Sequence, residues 1–132
     1  MAFKEEIMKH DIENREDLLL LFDQFYNKLL KIGSISYIFT DVAKIDMQQH
    51  IPVIVDFWEM VLFQAPTYKK NPIQPHIALS QQSKFEKHHF DTWLQTFNDT
   101  VDELFEGDVA FLAKQRAQSI ATIMQIKIAQ LS

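Results

Sequence analysis

A chain of 132 residues fits one domain with one core, and no unbroken apolar run is longer than Leu18 to Phe22, far short of the about 20 residues that span a membrane. Thirteen Lys and Arg against 18 Asp and Glu leave a net charge of -5, with no basic excess to neutralise phosphates, so no nucleic acid is expected as a partner. Cysteine is absent, which excludes disulfides, thiolate metal sites, iron–sulfur clusters and Cys nucleophiles, and Met1 to His10 lacks the apolar core of a signal peptide, which points to a cytoplasmic protein.

Only two glycines, Gly33 and Gly107, are present, too few for the tight turns of a sheet protein, and the chain reads as all-α. The first strong helix starts after Asn14, a cap residue, with Glu16 and Asp17 in the first turn where the helix dipole favours negative charge. Leu18, Leu21, Phe22, Phe25, Tyr26, Leu29 and Leu30 keep helical spacing to about Ile32, and Gly33 is suited to the left-handed conformation that ends a helix. A connector, Gly33 to Asp46, carries Tyr37, Ile38 and Phe39. A second helix reads from about Met47 to Phe63, with Ile51, Ile54, Phe57, Trp58 and Leu62 on its apolar face and His50 at a kink or first turn beside Pro52. Pro66 stops it, and the segment from Thr67 to Gln81, with Pro72, Pro75 and His76, reads as a surface loop.

Ser83 followed by Glu86 forms a capping box, so a helix is expected to begin there. Phe85, His89, Trp93 and Phe97 recur every fourth residue over roughly 120° of one face, which puts His89 inside the stripe and His88 on its flank. Val101, Leu104 and Phe105 continue the pattern, as the same helix or as a new one after Asn98, and Gly107 ends it. Asp108 is positioned to cap a long last helix with Val109, Leu112, Ala117, Ile120, Ala121, Met124 and Ile128 inward.

Tyr26, His50 and His89 are polar groups on apolar stripes of three different helices, where burial costs free energy unless they are partnered. The simplest reading of each is a satisfied core residue. The chemical reading is a haem pocket: an imidazole on a Phe- and Trp-rich helix as iron ligand, and polar groups opposite it to hydrogen-bond a diatomic ligand. Glu86-x-x-His89 is half of the signature of a carboxylate di-iron bundle, and the second half is missing. There is no His-Glu-x-x-His, no Gly-x-Ser-x-Gly elbow and no Gly-rich phosphate loop.

The Phe25-Tyr26 pair, His50 followed six residues later by Asp56-Phe57-Trp58, and His89-Phe90 with Trp93-Leu94 behind resemble the group III truncated haemoglobins of bacteria in order and spacing, over about Asn14 to Met124. The resemblance implies a two-over-two helical sandwich around haem b, as a single globin-like domain over residues 1–132 with an N-terminal extension over 1–13. It further implies His89 as the proximal iron ligand, Tyr26 and His50 as the distal polar pair, Ile54 as their apolar neighbour and Phe39 against the porphyrin edge. His76 matches a family position near the haem and is suited to meet a propionate, while Phe57, Trp58, Phe85 and Trp93 supply apolar walls. Glu59 and Met60 follow Asp56-Phe57-Trp58 where the family often has small Ser residues.

The expected function is therefore binding of dioxygen or another diatomic ligand, with nitric oxide dioxygenase or peroxidase-like redox chemistry drawing on an electron-donor reductase. The alternative is a cofactor-free helical interaction module whose histidines are structural.

Overall fold

Residues 9–37, 46–64 and 86–130 are described by the computed structural model, and every regular element among them is a helix: α1 (Arg15–Leu29), α2 (Gly33–Tyr37), α3 (Met47–Phe63), α4 (Lys87–Leu104) and α5 (Asp108–Gln130). Asn14 starts α1 as expected, its side-chain oxygen accepting the Asp17 amide at 3.0 Å. The predicted stripe is buried: Leu18, Leu21, Phe22, Phe25, Tyr26 and Leu29 all face the core. The helix stops three residues before the expected end. Lys31 and Ile32 tighten into bonds from their amides to the carbonyls of Lys28 and Leu29, which satisfies the last carbonyls without a left-handed residue. Gly33 accordingly does not end α1 but opens α2.

Helix α3 occupies the predicted span, with Asp46 capping its first turn by accepting the Gln48 amide at 3.0 Å. Pro52 is inside it, the sixth residue, and so offers no amide to the carbonyl four residues back. Arg15 at the start of α1 grips this stretch. Its guanidinium donates to Asp56 at 2.7 Å and to Glu59, and lies 3.5 Å from the Pro52 carbonyl. The helix ends at Gln64 in the left-handed conformation.

Helix α4 starts later than expected. Glu86 is its N-cap, not the third residue of a helix capped by Ser83, and the helix runs through Asn98 without a break to Leu104. Gly107 does adopt positive φ, and a Cβ there would meet the Asp11 carboxylate at 2.5 Å. The reason is a cap supplied from far away in sequence. Asp11, not Asp108, caps α5, its two oxygens accepting the Val109 and Ala110 amides at 2.9 and 2.8 Å. Ile12 beside it is fully buried, so the last residues of the expected N-terminal extension belong to the core. On α5 the most deeply buried positions are small, Ala110, Ala113, Ala117 and Ala121, with Met124 beyond; Val109, Leu112 and Ile120 are only half-buried.

Helix α1 packs against α3 and α4, and α4 against α5, an arrangement of two helix pairs laid across each other. Phe97 of α4 is fully buried where they meet, its ring 5.5 Å from Phe25, 5.8 Å from Phe22 and stacked on Trp58 at 5.2 Å and Trp93 at 5.9 Å. Among the described residues no helix is long and apolar enough to cross a membrane. Phe39, His76, Ser83 and Phe85 lie outside the described residues.

Candidate functional site

The helical registers of α1 and α3 bring Tyr26 and His50 together, as expected of two polar groups on facing apolar stripes. The Tyr26 hydroxyl lies 3.0 Å from His50 Nε2, with the rings edge to face at 5.3 Å. Tyr26 is 6% exposed, and burial pushes its hydroxyl well above the ordinary tyrosine range, so it stays protonated. The bond allows two arrangements: the hydroxyl donates to a bare Nε2, or a protonated Nε2 donates to the tyrosine oxygen. In the second the hydroxyl hydrogen is left to point elsewhere. With a neutral imidazole the contact therefore leaves at most one of the two hydrogens for a third group. Ile54, one turn beyond His50, is half-buried and packs on the same core.

The α4 register places His89 inward, 5% exposed, and His88 outward beside Glu86, as the stripe predicts. Both ring nitrogens of His89 face protein groups. The Glu86 backbone amide donates to Nδ1 at 3.0 Å, and Nε2 lies 3.3 Å from the Tyr37 hydroxyl at the end of α2. Desolvation lowers the pKa of the ring, with neighbouring His88 acting in the same direction, against a backbone hydrogen bond at Ser34 and the Glu86 charge, so the imidazole is held neutral. Tyr37 was visible in the sequence only as an aromatic in a connector. Nothing in its spacing marks it as a partner of a residue 52 positions away.

The apolar candidates divide. Trp58 is buried in the aromatic core, 5.7 Å from Phe22 and stacked on Phe97, whereas Phe57 and Trp93 are half-buried at its margin. Phe39, His76 and Phe85 fall outside the described residues and are not located relative to the Tyr26–His50 pair.

Comparison with known proteins bears on the fold. No protein-family model matches the chain. It is 26% identical over 121 residues to the group 3 truncated hemoglobin of Campylobacter jejuni, covering 89% of this chain and 93% of that protein. Its fold matches the crystal structure of the group III truncated hemoglobin from Campylobacter jejuni with a TM-score of 0.79 at 26% identity, covering 92% of this chain and 95% of that one. In sequence and fold this chain resembles the group III truncated haemoglobins, and its all-α fold is the two-over-two fold of a truncated globin.

Proposed function

We propose that this chain binds haem b and, through it, dioxygen or another diatomic ligand. The observation that carries the reading is the Tyr26–His50 contact at 3.0 Å, a buried phenol and a half-buried imidazole joining two helices of a truncated-globin fold. The donor set fits the group on that side: a protonated phenol and an imidazole, with the apolar Ile54 one turn beyond His50, make a small polar spot against the apolar core. When bound, haem supplies an iron that coordinates diatomic molecules and changes oxidation state.

This chain's own contribution is orientation and polarity. With His50 Nε2 donating to the tyrosine oxygen, the Tyr26 hydroxyl directs its hydrogen at a ligand carrying partial negative charge, and such a bond strengthens as that charge grows. In that arrangement the pair presents one donor where the sequence reading expects two. A donor held by its neighbour suits retention and redox conversion, of nitric oxide or peroxide with electrons from a reductase, better than rapid delivery. From the sequence, His89 would be the imidazole that holds the iron. Its committed nitrogens favour a second candidate, His76, which the resemblance also puts near the haem.

Absorption spectroscopy of the full chain expressed with ample haem tests the reading. One haem per chain, a Soret band typical of histidine ligation and a shift of that band on adding carbon monoxide to the ferrous protein are expected. A folded, colourless protein that takes up no added haem rejects it in favour of a cofactor-free interaction module.

A further inference from the structure

We infer that Arg15 is a positioning residue for the Tyr26–His50 pair: its guanidinium, forked between α1 and α3, sets the angle at which the two helices cross and so keeps His50 within hydrogen-bond reach of Tyr26. That contact belongs to the chain itself; only its consequence for a bound ligand rests on the haem reading above.

Helix α1 meets α3 at three places along its length. At its start Arg15 donates to Asp56 at 2.7 Å and to Glu59, and lies 3.5 Å from the Pro52 carbonyl. Farther along, the Phe22 and Trp58 rings pack with centroids 5.7 Å apart. Tyr26 then meets His50 at 3.0 Å. Arg15 and Tyr26 are eleven residues apart, about 16 Å along the helix. The ring contact between them is non-directional and acts as a pivot, whereas the two polar contacts hold only over a narrow range of geometry.

The lever is long enough to matter. His50 is eight residues from Trp58, about 12 Å along α3, so a rotation of about 5° at the pivot displaces it by about 1 Å. That is enough to take a 3.0 Å contact out of hydrogen-bond range. Apolar packing leaves crossing angles scattered by about 15–20° from one helix pair to another, too coarse to fix this one to a few degrees. A planar guanidinium directs its N–H groups at fixed angles and is far more exacting. Its acceptors, on Pro52, Asp56 and Glu59, are four and three residues apart and so share one stripe of α3.

The turn that carries His50 needs such a hold. Pro52 withholds from the Gln48 carbonyl the amide it would meet in an uninterrupted helix, so this turn is joined to the rest of α3 by one backbone bond fewer. Arg15 takes hold immediately beyond that break. Glu59, with its side chain 17% exposed, supplies the second carboxylate of the fork. It is also a position at which this chain departs from the group it resembles, and the fork gives the departure a purpose.

The test reads His50 directly, through the imidazole nitrogen signals of the histidine-labelled full-length chain in NMR. The ferrous protein with carbon monoxide bound is used or, where no haem is taken up, the chain as purified. Tyr26→Phe supplies the signature of a lost contact. Arg15→Met is expected to move the His50 signals at least half of the way to it, while Lys114→Met, which removes an ion pair between α5 and Asp102 of α4, is expected to leave them in place. Unmoved His50 signals in Arg15→Met, or an equal movement in Lys114→Met, overturn the inference. In the holoprotein, Arg15→Met is expected to quicken dioxygen dissociation about threefold or more in the native background. On Tyr26→Phe it is expected to add less than about 1.5-fold, because a residue that acts through the pair then has nothing to act on. Equal quickening in both backgrounds overturns the inference. Should Arg15→Met fail to accumulate, Glu59→Gln, which keeps the side-chain shape and removes one charge of the fork, is expected to move the His50 signals in the same direction by a smaller amount, and unmoved signals overturn the inference. A chain that takes up no haem removes the haem reading alone and leaves the nitrogen signals to decide this one.

Discussion

A buried hydroxyl without a partner costs roughly 1–3 kcal/mol, and Tyr26 avoids that cost by meeting His50 across the α1–α3 boundary. Tyr26→Phe removes the hydrogen while keeping the ring that packs on Phe25 at 5.0 Å. Dissociation of dioxygen from the ferrous holoprotein is expected to quicken by on the order of tenfold, the kinetic equivalent of one hydrogen bond, as measured by stopped-flow displacement with carbon monoxide. An unchanged rate would mean that the tyrosine hydrogen rests on His50 and never reaches the ligand. The inward direction of Tyr26 and His89 was legible from helical spacing alone. The atoms they meet were not, because spacing gives the face of a helix and says nothing about what another segment brings to that face.

Helix ends show the same division on a longer scale. Asn14 was readable as a cap because its partner, Asp17, lies within one turn. The cap of α5 was not, because Asp11 is 98 residues from Val109 in sequence. Burial by itself would raise the Asp11 carboxyl, but amide hydrogen bonds from Val109, Ala110 and Ile12 outweigh it and hold the group below the ordinary carboxylate value of 3.8. A carboxyl whose pKa is lowered by folding adds stability that is present above its unfolded value and is lost as pH falls through the folded value. Asp11→Ala is therefore expected to cost about 1–2 kcal/mol at pH 7, in the range of a lost cap, with the gap to wild type narrowing below about pH 3.8 in urea titrations. A gap that does not change with pH would mean that the charged carboxylate contributes nothing beyond its shape.

The whole molecule is held where its helix pairs cross, at Phe97. Four aromatic rings from α1, α3 and α4 have centroids within 6 Å of it, so truncation leaves a hole bounded by rigid rings that cannot close it. Phe97→Ala is expected to lose about 3–5 kcal/mol, a fall in melting temperature of roughly 10–20 °C for a chain of this length, seen by circular dichroism. A loss below about 1 kcal/mol would show that the crossing repacks freely.

The sequence by itself determined the four long helices and their inward faces, because each depends on residues within a few turns of one another and periodicity records that directly, and the order and spacing of its motifs carried the family likeness. Tertiary structure alone decided that the polar hydrogens of Tyr26 and His50 share one bond, that Asp11 closes the end of α5, and that the nitrogens of His89 are taken by Glu86 and Tyr37. Hydrogen-bond partners are chosen by proximity in space, and a donor or acceptor carries no mark in the chain of the distant group that will satisfy it.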